Sequence, residues 1–306
     1  MIQKPMDVLR EFPIRKNEQQ KLNFRGAVVK YMSELGYICK TEKGSYGGNN
    51  LIIGDPSQAS YLITAHYDTC ARMFLPNLIT PCNFWTFLGY QIFITLLMMA
   101  IPVLPAIWIG QLSTFETGYF AWYFGFICLA LLMTCGPANP SNANDNTSGV
   151  VTVLEIARSL PIEHRNKVYF VLFDLEEQGL LGSRSYRKAH KAETNHQVIL
   201  NMDCVGDGNE MMIFPTKKLS KDPIKMQLLR KLPHEYNGKS LSLHEKGFSV
   251  YPSDQRNFPY GAGFAAFKRK KGIGLYCDKI HTSRDTVLDE NNVNMLRDRI
   301  IAAITE

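Results

Sequence analysis

Charge is almost absent from one long part of this 306-residue chain: between Arg72 and Asp145 the only charged side chain is Glu116, although one residue in five is charged overall. So bare a stretch is poorly suited to face water. Patterned cysteine is also missing. Cys39, Cys70, Cys82, Cys128, Cys135, Cys204 and Cys277 form an odd set with no C-x-x-C pair, which points to reduced thiols rather than a secreted disulfide scaffold. The opening MIQKPMDVLREFPIRK lacks the apolar core of a signal peptide, and both features lead us to expect the charged portion of the chain to be cytoplasmic. There is no internal repeat and no low-complexity tail. The net charge of +6 is modest and the one basic run, Lys268 to Lys271, reads as a solvated turn, so nucleic acid is not an expected partner.

The uncharged part holds two apolar runs. Phe84 to Ile109 is broken only by Gln91, Pro102 and Pro105, and Gly118 to Cys135 follows after the link GQLSTFET. As helices they would measure about 39 Å and about 27 Å, against a hydrocarbon core of roughly 30 Å. Trp85, Trp108, Tyr119, Trp122 and Tyr123 sit near their ends, where interfacial aromatics belong. Residues 77–137 are therefore expected to be an inserted hydrophobic helical hairpin, two transmembrane helices that meet the lipid bilayer through residues 84–135. A buried helical lid or an oligomer interface is the alternative. All 34 Lys and Arg lie outside Met73 to Asn144, which by the positive-inside rule places the rest of the chain on the cytoplasmic side of a membrane.

Around that insertion the pattern is α/β. Arg15 to Leu35 has helical periodicity. Tyr37 to Thr41, Asn50 to Ile53 and Tyr61 to Ala65 read as short strands, the last running into AHYDT. Val168 to Phe173 (VYFVLF) is a buried-strand pattern ending in Asp174, Glu176 and Glu177. Adjacent glutamates at a strand end can divide labour, one holding a metal and the other moving protons, although acids are also common in a helix first turn. Asp145 lies just before a helical pattern from Ser148 to Leu160, where an Asp most often caps. Val198 to Met202 is a strand pattern ending at Asp203. Met211 to Phe214, Gly272 to Tyr276 and the helical Lys221 to Leu232 and Glu290 to Thr305 complete the reading, with His281 in DKIHTSRDT.

His66, Asp145, Glu177, Asp203 and His281 are five possible metal ligands. Two histidines and three carboxylates can hold two divalent ions if one carboxylate bridges, and spacing alone does not establish it. The motifs AHYDT, NDNTSGVVTVLEIAR, VLFDLEEQGLLGS, NMDCVGDG and HTSRDT, in that order, resemble the dinuclear zinc aminopeptidases of metallopeptidase family twenty-eight, which also contains glutamate carboxypeptidase and the glutaminyl cyclases. The resemblance runs from about Arg15 to the C-terminus, excepting the hairpin. It implies a zinc-exopeptidase-like α/β fold with a mixed, mostly parallel sheet, formed by residues 1–76 and 138–306.

It further implies two divalent ions, zinc with cobalt or manganese as alternatives, and a peptide substrate. Asp145 would bridge the ions, His281 and Glu177 completing one site and His66 and Asp203 the other, with Glu176 as general base and Asp68 bracing the site from behind. Two departures stand out. The loop after the first motif carries the hairpin, which would set the active-site mouth close to the bilayer. Ser253-Asp254-Gln255 replaces the family's frequent SDH, while Tyr251 is a possible oxyanion partner. The expected function is an exopeptidase of the aminopeptidase type; a glutaminyl-cyclase-like acyl transferase and a non-catalytic membrane scaffold are the alternatives.

Overall fold

A computed structural model describes residues 2–306. The chain opens with α1 (Asp7–Glu11) and α2 (Glu18–Glu34), then β1 (Cys39–Lys43), β2 (Asn49–Ile53) and β3 (Tyr61–His66). The expected first helix starts at Glu18 rather than Arg15 because Asn17 caps it, its side chain and that of Gln20 exchanging hydrogen bonds with backbone N–H groups in a capping box. The hairpin follows as α3 (Phe84–Ala100), α4 (Val103–Leu112) and α5 (Phe115–Cys135). Next come α6 (Gly149–Ser159), β4 (Val168–Phe173), α7 (Leu181–Ala189), α8 (Lys191–Thr194), β5 (Val198–Met202), β6 (Glu210–Pro215) and α9 (Met226–Arg230). Finally β7 (His234–Tyr236), β8 (Lys239–Leu243), β9 (Gly261–Lys270), β10 (Gly274–Tyr276) and α10 (Glu290–Thr305) close the chain.

The strands form one mixed sheet in the order β1-β2-β4-β3-β5-β9-β6-β8-β7, with β10 on β9. The central four, β4, β3, β5 and β9, are mutually parallel, and antiparallel pairs lie toward the flanks. All six residues of β4 are buried. Val168, Phe170 and Leu172 enter the larger core with α2, α6 and α10, while Tyr169, Val171 and Phe173 pack on the other face with Tyr186 and Phe258. A strand apolar at every position is what a sheet covered on both faces requires.

Three expectations change. Lys221 to Leu232 yields only the short α9, since Pro223 stands inside the pattern and bars a continuous helix. The basic run is the end of β9, with Arg269 on Glu210 and Lys268 on Asp207, rather than a turn. The hairpin link shrinks to Ser113 and Thr114, with Thr114 capping α5, and Pro102 divides the first run into α3 and α4.

Phe84–Leu112 and Phe115–Cys135 are each long and apolar enough to cross a membrane, and only 11% and 6% of their most apolar windows are buried. A core helix of a soluble protein would be mostly covered. At the domain end Asn83 caps α3 and its amide also donates to Ile273 O, while Lys16 donates to Thr134 O near the end of α5. Both ends of the hairpin are thus tied to the sheet domain.

Candidate metal centre

The sheet order puts the carboxyl ends of β4, β3 and β5 side by side, and the acids and the first histidine leave from those ends. His66 is the last residue of β3 and pairs in register with Phe173, so the chain after β4 turns beside it, while Asp203 directly follows β5. Strand ends at the centre of an open α/β sheet are where ligands bind. Asp145 arrives from the turn before α6 and His281 from the loop after β10.

These residues converge on one buried cluster. His66 Nε2 lies 3.3 Å from Asp145 Oδ1 and 3.6 Å from Asp203 Oδ1. His281 Nε2 lies 3.1 Å from Asp145 Oδ2 and 3.4 Å from Glu177 Oε2. The two oxygens of one carboxylate therefore face different histidines. Glu176 Oε2 is 4.0 Å from His66 Nε2, and Glu176, His66 and Asp203 each offer a donor atom within 4.8 Å of the others. Asp145 does not cap α6: its backbone is non-helical and both of its oxygens are turned to the histidines.

The donor set suits divalent cations. Glu177 Oε1, Asp203 Oδ1 and His281 Nδ1 are buried with no hydrogen-bond partner. Unpaired buried carboxylate oxygens are costly, and oxygen and imidazole donors together fit zinc. Burial alone would make the histidines harder to protonate, yet the surrounding carboxylates push both well above their ordinary value, with Glu176 acting most strongly on His66 and Glu177 on His281. Burial pushes the Glu176 carboxyl well up against the pull of His66, with Asp254, Glu177 and Asp203 adding to the rise.

Supporting groups explain why the candidate ligands point where they do. Asp68 accepts the backbone N–H groups of Glu176 and Glu177 at 3.1 and 3.2 Å, fixing the acidic turn, and its own carbonyl lies 3.2 Å from His66 Nδ1. Asp174 belongs to a different job: it is paired with buried Lys21 at 2.6 Å and accepts from Asn49 N and Leu175 N. Tyr251 is buried near the site, but its hydroxyl donates to the Asp203 carbonyl at 3.0 Å, so its proton supports the ligand loop.

Several functional neighbours escaped sequence reasoning. Asp285 accepts from Asn144 N and Asp145 N, one oxygen each, at 2.9 Å. Asn144 Oδ1 accepts from Gly206 N and Asp207 N, and Asn146 reaches Met202 O and Gly149 N, stitching the Asp145 turn to the segment that carries Asp203. The only signal was their place inside the quoted motifs. Arg15 is fully buried, donates to Tyr67 O, Phe12 O and Thr147 Oγ1, and places a cation behind Asp68 and Asp145. Cys70 and Cys204 border the cluster, and burial, reinforced by the carboxylates, pushes both thiols well up, which keeps them neutral.

Residues 131–304 match peptidase family M28. The chain belongs to that family. The matched segment contains Asp145, Glu176, Glu177, Asp203 and His281, and the fold supplies His66 from outside it. No curated protein matches the sequence. Among solved structures, the LapA aminopeptidase of Legionella pneumophila is 15% identical with a TM-score of 0.57, covering 98% of this chain; this chain spans 66% of the Legionella protein. The glutaminyl cyclase of Porphyromonas gingivalis (18%, TM-score 0.60) and a Zn-dependent exopeptidase from Parabacteroides distasonis (14%, TM-score 0.60) each cover 98% of this chain and are covered to 96%. At these identities the likeness concerns the fold. Like these structures, this member of family M28 has a sheet of central parallel strands flanked by helices.

Proposed function

We propose that this family M28 protein is a metal-dependent aminopeptidase, with residues 1–76 and 138–306 as its catalytic domain and residues 77–137 as a hairpin embedded in a membrane, the catalytic domain facing the cytoplasm. The observation that carries the catalytic reading is the orientation of Asp145, one oxygen toward His66 and Asp203 and the other toward His281 and Glu177. His66 with Asp203 forms one half-site and His281 with Glu177 the other, Asp145 being shared. Two divalent ions so held, zinc with cobalt or manganese as substitutes, would supply Lewis-acid polarisation of a peptide carbonyl and a readily deprotonated water.

Glu176 is the general base. Its neighbour Glu177 lies 3.4 Å from His281 Nε2, its backbone N–H is held by Asp68, and its own carboxylate reaches within 4.0 Å of His66 Nε2. It takes the proton from the attacking water and returns it to the departing amine. Asp68 holds the acidic turn, and Tyr251 holds the Asp203 backbone. A cyclase of the Porphyromonas type is the second reading, and the complete His66 and Asp203 half-site favours hydrolysis with two ions over it. A scaffold without activity is disfavoured because every ligand and the base are present and converge.

The test is release of amino acids from aminoacyl-fluorophores by the full-length protein in detergent, stripped of metal and reloaded with zinc, cobalt or manganese. Metal-restored cleavage of free-amine substrates, absent with N-blocked controls and reduced at least 100-fold in Glu176→Gln, is expected. Equal activity of wild type and Glu176→Gln would overturn the assignment.

A further inference from the structure

The hairpin is more than two apolar rods. A groove of about 480 Å³ lies between residues 72–77 and the helices α3 and α5, lined by Phe74, Ile94, Met98, Leu129 and Leu132 and by Arg72. A second cavity of about 500 Å³ shares Arg72, Met73, Phe74 and Leu132 with it and ends on Thr282, Ser283 and Arg284. The two cavities adjoin at these shared residues, and the second borders the loop that carries His281. Met73 N donates to His281 O at 2.8 Å and Arg72 N to Pro137 O at 2.8 Å, so the groove wall is bonded directly to the backbone of a proposed ligand.

Charge marks the junction of the two cavities. Arg72 and Arg284 are both exposed, and neither guanidinium makes an ion pair among the described residues. Arg72 is also the last cation before the uncharged stretch, which places it where water meets hydrocarbon if the hairpin spans a bilayer. Two guanidinium groups lining one cavity without a carboxylate partner are suited to an anionic group, and the adjoining groove is suited to a long apolar chain.

We propose that these adjoining cavities are a substrate subsite and that the enzyme acts on membrane-held amphiphilic peptides: the apolar chain lies between α3 and α5, an anionic group meets Arg72 and Arg284, and the free amino end reaches the metal centre. The proposal rests on the peptidase reading above and on the hairpin being in a bilayer. It explains why the hairpin is inserted in the loop that follows Asp68, since that loop is where a substrate leaving the bilayer would first meet the catalytic domain. An ordinary boundary lipid would need only the outward faces of the helices, whereas this groove is closed on one side by residues 72–77 of the sheet domain.

Full-length protein in nanodiscs of zwitterionic lipid is given alanyl-glutamyl dodecylamide and alanyl-glutamyl methylamide. The expected ratio of their kcat/KM values is at least tenfold in favour of the dodecylamide. Ile94→Trp or Leu132→Trp, which fill the groove, are expected to bring that ratio near one, Arg72→Glu is expected to lower both kcat/KM values because both substrates carry the glutamyl carboxylate, and Leu104→Trp, on an exposed face of α4, keeps the wild-type ratio and values. A ratio in Ile94→Trp and Leu132→Trp equal to that of Leu104→Trp and wild type would mean that the chain merely partitions into lipid, and would overturn the proposal.

A second arm separates this from failure of the peptidase reading. Glu176→Gln protein is irradiated with the dodecylamide carrying a diazirine on its chain. Labelling concentrated on Met98 and Leu129 supports the subsite even if no peptide is cleaved. Even labelling of these and of outward residues such as Phe93 and Phe124 contradicts it.

Discussion

Asp145 faces two histidines because its backbone is held from behind. Asp285 takes the N–H of Asn144 on one oxygen and that of Asp145 on the other, and the flanking asparagines bind the segment after β5. Asp285→Asn replaces one acceptor by a donor that opposes a buried N–H, so the carboxylate of Asp145 loses its fixed aim. A zinc affinity about 10- to 100-fold weaker is expected, the usual size for loss of a group that orients a ligand, measured by competition with a chromogenic chelator. Affinity unchanged in that variant would show that Asp145 needs no such support. At this scale sequence reasoning reached the residues that protrude from strand ends, since a strand pattern shows where the chain must turn. It did not reach Asp285, Arg15 or the asparagines, whose work is done through backbone contacts with segments more than fifty residues away.

Elements show the same division. VYFVLF, VILNM and the closing helix were legible because burial on both faces, or along one stripe, dictates their composition. GAGFAAFKRK was not recognised as β9. Its glycines serve close approach rather than strand propensity: a Cβ on Gly261 would stand 2.3 Å from Gln255 O, and one on Gly263 2.7 Å from the Gln255 side chain. In the hairpin, length and apolarity were legible and the break was not placed. Pro102 divides the first run, and the Trp122 indole donates to the Met99 carbonyl at 2.9 Å beside that break.

Close packing of α4 on α5 depends on glycine. A Cβ on Gly118 would lie 2.7 Å from Ala106 O and 3.0 Å from Gly110 Cα, both backbone atoms that cannot give way, the small-residue contact by which membrane helices approach. Gly118→Val is expected to destabilise the hairpin by about 1–3 kcal/mol. All three tryptophans, Trp85, Trp108 and Trp122, lie in the hairpin, so their fluorescence during SDS titration of micellar protein reads this element alone. A transition at the wild-type SDS fraction would refute the packing argument.

The whole molecule combines an M28 fold, in which the candidate site lies at the ends of the central parallel strands, with the helical hairpin of α3, α4 and α5. Fold, order of motifs and the presence of two long apolar helical runs were legible because each rests on local pattern. How the hairpin meets the site was not, since it depends on residues 72–77 packing against α3, α5 and the His281 loop at once. The central claim is that one carboxylate is shared by two complete half-sites. Zinc bound per chain, measured by mass spectrometry on metal-saturated and desalted full-length protein alongside turnover of an aminoacyl-fluorophore and of a glutaminyl peptide, tests it most directly. Two zinc ions per chain with release of the free amino acid are expected. One zinc ion per chain with cyclisation of the N-terminal glutamine would contradict the account.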